Sequence, residues 1–288
     1  MPAFADADLE NAYFRAYDAV MAHWPVSIET IDVSGRYGTT RITSAGPASA
    51  PPLVLLHGLG ATSAMWYAIA GALAEHHRVR AVDIMGEPGR SCHEGAPISS
   101  MDDLVAWLAE TFEFLELAAA DLCGHSFGGH LALRFALAHP ARVRRLVLLD
   151  PVLTFAPLPP EFAEFAQNRD VHPTFDNARA MFAPGVSGSG PAREAYLDLL
   201  AHGAAHFPAS PVVTPELPDS LPPLPVPTLV LVAGESAVHD AQRAAQAARR
   251  AGARTVIVPG AGHGLVTDAP QPVADMTLDH LRDQPAAG

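Results

Sequence analysis

The chain contains no lysine; all 18 of its basic residues are arginine. That absence excludes Schiff-base and serine–lysine mechanisms, which need the amine of that side chain. Cysteine is nearly absent, with only Cys92 and Cys123. Two such residues form no disulfide framework and have no metal-ligand spacing. Cys123 ends an apolar stretch before Gly124 and reads as a buried, inert thiol. No apolar run approaches the roughly 18 residues of a membrane-spanning helix. The opening MPAFADADLE lacks the basic and apolar regions of a signal peptide, so a cytoplasmic protein is expected. Positive charge is in short supply, and the net charge is −13. A phosphate backbone or anionic membrane would repel this chain, so neither nucleic acid nor membrane is an expected partner.

What is present fits one large α/β domain with an insertion: 288 residues, 49% hydrophobic and 17% charged. Short apolar runs at 52–57, 79–84, 120–125, 143–150, 227–234 and 253–260 predict strands. Helical spacing fills 64–75, 100–117, 127–138 and 238–251 between them. Apolar strands alternating with helices predict a mostly parallel, doubly wound sheet covered on both faces. Segments 27–33 and 39–46 alternate more and read as an antiparallel edge hairpin, preceded by a helix over 12–24. Residues 1–151 and 227–288 are expected to form the core. The alternation fails over 152–226, which is rich in proline and carries Phe155, Phe162, Phe165, Phe175, Phe182 and Phe207. That region reads as an inserted cap.

The strongest chemical signal is GHSFG, residues 124–128, set between a predicted strand and a predicted helix. A turn this tight leaves no room for side chains two before and two after the serine. Ser126 is thereby held on a strained turn with its hydroxyl exposed, and the next helix aims its N-terminus at the same spot. Second is VLLHGLG, where His57 and Gly58 follow a core strand. Acyl transfer needs two backbone N–H donors where the oxyanion forms, and the amides of Leu59 and Phe127 are placed to supply them. Third is GAGHG, which puts His263 in a loop after the last strand, where a general base can reach the serine. His202 and His206 lie four apart but have no third ligand in view, and read as surface residues of the cap. DIMGEPGRS (83–91) lacks a phosphate-loop lysine and reads as a loop at the mouth of the site. The acidic and apolar segment 101–117 has helical spacing and reads as a core-facing helix.

In this order and spacing the motifs resemble the α/β-hydrolase superfamily across nearly the whole chain, and within it a group of bacterial serine carboxylesterases. AYFRAYDAVMAHWPV, RYGTT, PPLVLLHG, Met65–Trp66, RAVDIMG, GHSFGGHLALRFALAHP and LDPVLTF carry the likeness. The resemblance implies the α/β-hydrolase fold with a cap and a cofactor-free Ser–His–acid hydrolase. In most such enzymes the acid lies three residues past the glycine of PTLVLVAG, but here that position is Ala237. Asp150 ends VRRLVLLD, where some members keep their acid, and is the leading candidate. Glu235, Asp240 or no acid at all are the alternatives, with Glu235 close to the strand end and Asp240 suited to cap a helix. The expected function is hydrolysis of carboxylic esters, or thioesters, through an acyl-enzyme on Ser126, with an apolar portion in the small-molecule acyl substrate. The same serine would also serve acyl transfer or cyclisation, and a chain without an acid would serve as a non-catalytic binder. Aspartate-nucleophile dehalogenases and epoxide hydrolases are excluded, because Ser126 stands where their aspartate must be.

Overall fold

The computed structural model describes residues 4–160, 173–207, 213, 215–218 and 220–282. Among these, nine strands form one sheet: β1 (Ile28–Gly35), β2 (Gly38–Ala45), β3 (Pro52–Leu56), β4 (Arg78–Val82), β5 (Cys92–His93), β6 (Ala120–His125), β7 (Val143–Leu149), β8 (Thr228–Ala233) and β9 (Arg254–Val258). Their order is β1-β2-β4-β3-β6-β7-β8-β9, with the short β5 paired to β2. The β1–β2 hairpin and the β2–β4 pair are antiparallel, whereas pairs from β4 to β9 are parallel. From β3 the chain winds outward to β4 and then returns to build β6 on the other side of β3. This reversal opens a crevice at the carboxyl ends of β3 and β6, the usual place for a ligand in an open α/β sheet.

The helices are α1 (Ala7–Met21), α2 (Ala70–Ala74), α3 (Met101–Phe114), α4 (Phe127–Ala138), α5 (Phe175–Phe182), α6 (Pro191–His206), α7 (Ala241–Arg250), α8 (Leu265–Asp268) and α9 (Pro270–Arg282). Alternation along β3 feeds both cores. Val54 and Leu56 pack with Trp107 of α3, Phe135 of α4 and Ala248 of α7 in one cluster. Leu53 and Leu55 join Tyr13 of α1, Leu73 of α2 and Val273 of α9 in the other. Burying a strand on both faces accounts for its unbroken apolar composition.

The segment expected to be one helix over 64–75 is instead a 3₁₀ turn, Ser63–Ala68, followed by α2. Ile69 leaves helical geometry between them at φ −124°, ψ −10°. Full burial of Trp66 and Ile69 outweighs helix continuity there. The first helix starts at Ala7, ahead of the expected 12, because the Asp6 side chain accepts the amides of Asp8 and Leu9.

Between β7 and β8, α5 and α6 pack together, and α6 also lies along α1. A Cβ built on Gly203 of α6 would stand 3.7 Å from Gly60 O and 3.8 Å from Pro88 Cβ, so α6 crosses the loops that follow β3 and β4. Described aromatic residues of this segment, Phe155 and Phe207 among them, have definite partners. Phe155 is buried in the cluster around α4, and the Phe207 ring lies 5.3 Å from Tyr13 and 5.6 Å from Phe4. Phe162 and Phe165 lie outside the described residues. Among those described, no helix is long and apolar enough to cross a membrane.

Asp83, just after β4, ties these parts together. Fully buried, it accepts the Ser63 amide (2.7 Å), the Arg90 amide (2.8 Å) and the Tyr17 hydroxyl (3.0 Å). One carboxylate thus fixes α1, the 3₁₀ turn and the 83–91 loop. An unpaired buried donor costs roughly 1–3 kcal/mol. Asp83→Ala is therefore expected to lower unfolding stability by about 3 kcal/mol, read from the urea midpoint.

Candidate active site

β6 delivers Ser126 to the crevice. Its backbone sits at φ 53°, ψ −116°, a conformation that costs a non-glycine residue on the order of 1–3 kcal/mol. The surroundings hold it there: the Ser126 amide donates to Leu149 O (2.9 Å), and Ser126 O accepts the His130 amide (3.1 Å). The flanking glycines have a steric cause. A Cβ on Gly124 would lie 2.2 Å from Gly128 O, and one on Gly128 would lie 2.3 Å from Leu56 O. Ser126 therefore leads directly into α4, with Phe127 as its first residue.

His263 comes from the loop between β9 and α8. Its Nε2 accepts from the Ser126 hydroxyl at 2.9 Å, and its Nδ1–H donates to Asp150 Oδ2 at 2.7 Å. The loop is anchored at both sides of the ring. Gly262 donates its amide to Asp268 Oδ2 (2.8 Å), and the His263 carbonyl accepts from His125 Nε2 (2.7 Å). Burial, with His263 adjacent, lowers the His125 pKa to about 3, so this ring is neutral at ordinary pH. His125 was not singled out in the sequence.

Asp150 directly follows β7 at φ 44° and is fully buried. It accepts four hydrogen bonds: from the Ala233 amide (2.9 Å), the Ser236 hydroxyl (2.7 Å), His239 Nε2–H (2.9 Å) and His263 Nδ1–H. Burial by itself would raise its pKa, but the bonds from His239 and His263 outweigh that and hold it well below the usual carboxylate range. Neither alternative acid points here. Asp240 caps α7, accepting the Arg243 amide at 2.7 Å, and Glu235 is exposed at the end of β8. Ala237 is also exposed. Ser236 and His239 went unremarked in the sequence. The only signal for them was a need: a buried carboxylate must find donors.

The His57–Gly58 turn passes over the serine. A Cβ on Gly58 would stand 3.3 Å from Ser126 Cβ and 2.9 Å from His125 Nδ1. His57 is fully buried, and its Nε2 accepts the Ile84 amide (2.9 Å). Its Nδ1–H is then left to donate to Gly58 O (2.8 Å), which stiffens the turn. Gly60 donates its amide to Glu87 Oε2 (2.8 Å), so the 83–91 loop braces the same turn. The amides of Leu59 and Phe127 donate no hydrogen bond among the described residues. A small pocket is lined by Phe127 together with Met85, Gly86, Glu87, Ile98, Leu104 and Val213.

The His202 and His206 rings lie 5.7 Å apart, and the His202 ring meets Phe175 at 4.5 Å with a 47° tilt. Among the described residues, no group of three or more His, Cys, Asp or Glu side chains is placed to hold a metal ion. Cys123 is fully buried, which pushes its thiol pKa well up and leaves it without nucleophilic character.

Burial also lowers the pKa of His130 to about 4, and its Nδ1 donates to Leu153 O (3.1 Å) beside Asp150. An unfolded histidine protonates near 6.5, so below that pH the unfolded chain binds protons that the folded one refuses. Stability contributed by neutral His125 and His130 is thus complete above roughly pH 6.5 and declines as pH falls toward about 4. His130→Gln is expected to flatten this decline, seen as a shallower slope of Tm against pH over that range.

A model of the alpha/beta hydrolase family matches residues 53–276. Carboxylesterase YbfK of Bacillus subtilis (strain 168) is 36% identical over 163 residues, 57% of this chain and 55% of that protein. The uncharacterized carboxylesterase nap of the same organism is 34% identical over 154 residues, 54% of this chain and 51% of that one. The chain thus spans about half the length of these curated relatives. Over whole structures the likeness is wider. The crystal structure of carboxylesterase CesB (YbfK) superposes with a TM-score of 0.88 at 28% identity, covering 97% of this chain and 100% of that one. Naproxen esterase from Bacillus subtilis gives a TM-score of 0.85 at 25% identity, covering 96% and 99%. With its doubly wound sheet, its serine turn and this match over most of its length, the chain belongs to the alpha/beta hydrolase family.

Proposed function

We propose that this protein hydrolyses carboxylic esters through an acyl-enzyme on Ser126, with His263 as general base and acid and Asp150 as the acid of the triad. One observation carries the reading: an unbroken hydrogen-bonded line from Ser126 Oγ through His263 to Asp150, 2.9 and 2.7 Å. The relatives named carboxylesterases point the same way.

His263 Nε2 takes the hydroxyl proton as Ser126 Oγ adds to the acyl carbonyl. The imidazolium that forms keeps its Nδ1–H on the Asp150 carboxylate, which stabilises the charge without taking the proton. The oxyanion is held by the amides of Leu59 and Phe127, the second aided by the positive end of α4. His263 gives its proton to the leaving alkoxide. Water, activated by the same ring, then adds to the acyl-enzyme and releases the acid.

Residues 152–226 would act as the cap, with α6 closing over the turns at Gly60 and Pro88. Although position 237 holds alanine, Asp150 reaches His263 from β7, which favours a catalyst over a binder.

Ser126→Ala is expected to abolish hydrolysis of p-nitrophenyl butyrate and labelling by a fluorophosphonate, with Tm unchanged or raised. Asp150→Asn should lower kcat by a factor on the order of 10⁴, since the imidazole loses its oriented tautomer. A Ser126→Ala protein that still cleaves the ester would overturn the reading. A transferred or cyclised product in place of free acid would replace hydrolysis by acyl transfer.

A further inference from the structure

The loop after β8, residues 234–240, has no acid at position 237, yet together with the last residue of β8 it turns three donors onto the acid of the neighbouring strand. The Ala233 amide and His239 Nε2–H meet Asp150 Oδ1 at 2.9 Å each, and the Ser236 hydroxyl meets Oδ2 at 2.7 Å. Of these, His239 is the most deliberate. Its side chain is 2% exposed, and among the described residues its Nε2 bonds Asp150 alone. Its backbone is fixed on both sides. Val238 donates its amide to Ser236 Oγ (3.3 Å), and Asp240 caps α7 through the Arg243 amide.

The geometry matters because Asp150 must aim one particular oxygen at His263. The terminal torsion of an aspartate is broad and only weakly restrained by its own chain. Donors from outside must therefore set the plane of the carboxylate. With Oδ1 engaged by Ala233 and His239, Oδ2 is left facing His263 and Ser236. An ionised carboxylate only accepts, so both rings must present N–H to it: His263 through Nδ1 and His239 through Nε2.

We propose that His239 is a positioning residue, whose Nε2–H fixes the orientation of Asp150 and so allows an acid on β7 to serve in place of one at position 237. The inference rests on the triad proposed above. It concerns a residue that touches no reacting atom and acts through Asp150 alone.

Three variants test it: His239→Gln, whose amide reaches as far as Nε2; His239→Asn, polar but one carbon shorter; and His239→Leu, which fills the space without a donor. Activity on p-nitrophenyl butyrate is expressed per site titrated with fluorophosphonate. We expect His239→Leu and His239→Asn to lose roughly 10- to 100-fold in kcat with KM within about twofold, as a misplaced catalytic group would. His239→Gln should recover most of that loss. In nitrogen-15 histidine spectra, the low-field imidazole proton of His263 should persist in His239→Gln and broaden in His239→Asn. If His239→Leu fails to fold, the contrast between Asn and Gln decides the matter. Equal kcat per titrated site in all three, with only Tm lowered, overturns the inference and makes His239 a packing residue. That outcome leaves the triad standing provided Ser126→Ala and Asp150→Asn are inactive; if they are active, the triad reading itself fails.

Discussion

A negative charge with no access to water needs hydrogen-bond donors, and the placement of those donors organises the candidate site. The Asp150 carboxylate, fully buried, has its needs met by a strand end, a serine and two imidazoles. Leaving such a group unpaired is among the more expensive defects a fold can carry. Each donor is therefore held by the carboxylate as firmly as it holds the carboxylate. The ends of β7 and β8 and the loops at Ser236 and His263 become one unit as a result.

The second constraint is steric. α4 approaches β3 so closely that Gly128 lies against Leu56 O, and Gly124 lies against Gly128 O. No other residue type fits at these two positions without moving backbone. The serine between them is held at a positive φ and, though buried, turns its hydroxyl to His263 Nε2. The His57 ring performs the matching task for the facing turn, joining Ile84 to Gly58 across two strand ends.

Much of this was legible in the chain because it depends on local rules. Strands buried on both faces must be apolar throughout, which made the parallel sheet readable. A tight strand-to-helix turn needs glycines at fixed offsets, which singled out Ser126. The family resemblance directed attention to Asp150 once Ala237 was seen. His239 stayed hidden because hydrogen-bond partners follow no period: it is 89 positions from Asp150, and nothing in VHD distinguishes it from other histidines. His125 escaped for the same reason, since its partner is a backbone carbonyl 138 positions away. The aromatics between β7 and β8 could be read as buried but not against what. Phe155 and Phe207 pack on the protein's own body, on α4's cluster and on Tyr13. The helix over 64–75 divided because the pull of a core on Trp66 and Ile69 is invisible in local spacing.

The Asp150 carboxylate just past β7 shares a frame with Ser126 just past β6, for the Ser126 amide is bonded to Leu149 O one residue before Asp150. Two of the three side chains are consequently placed by one pair of neighbouring strands. The third, on its glycine-flanked loop, joins that frame through side-chain bonds alone: its Nδ1–H to Asp150, and the His125 ring to its carbonyl.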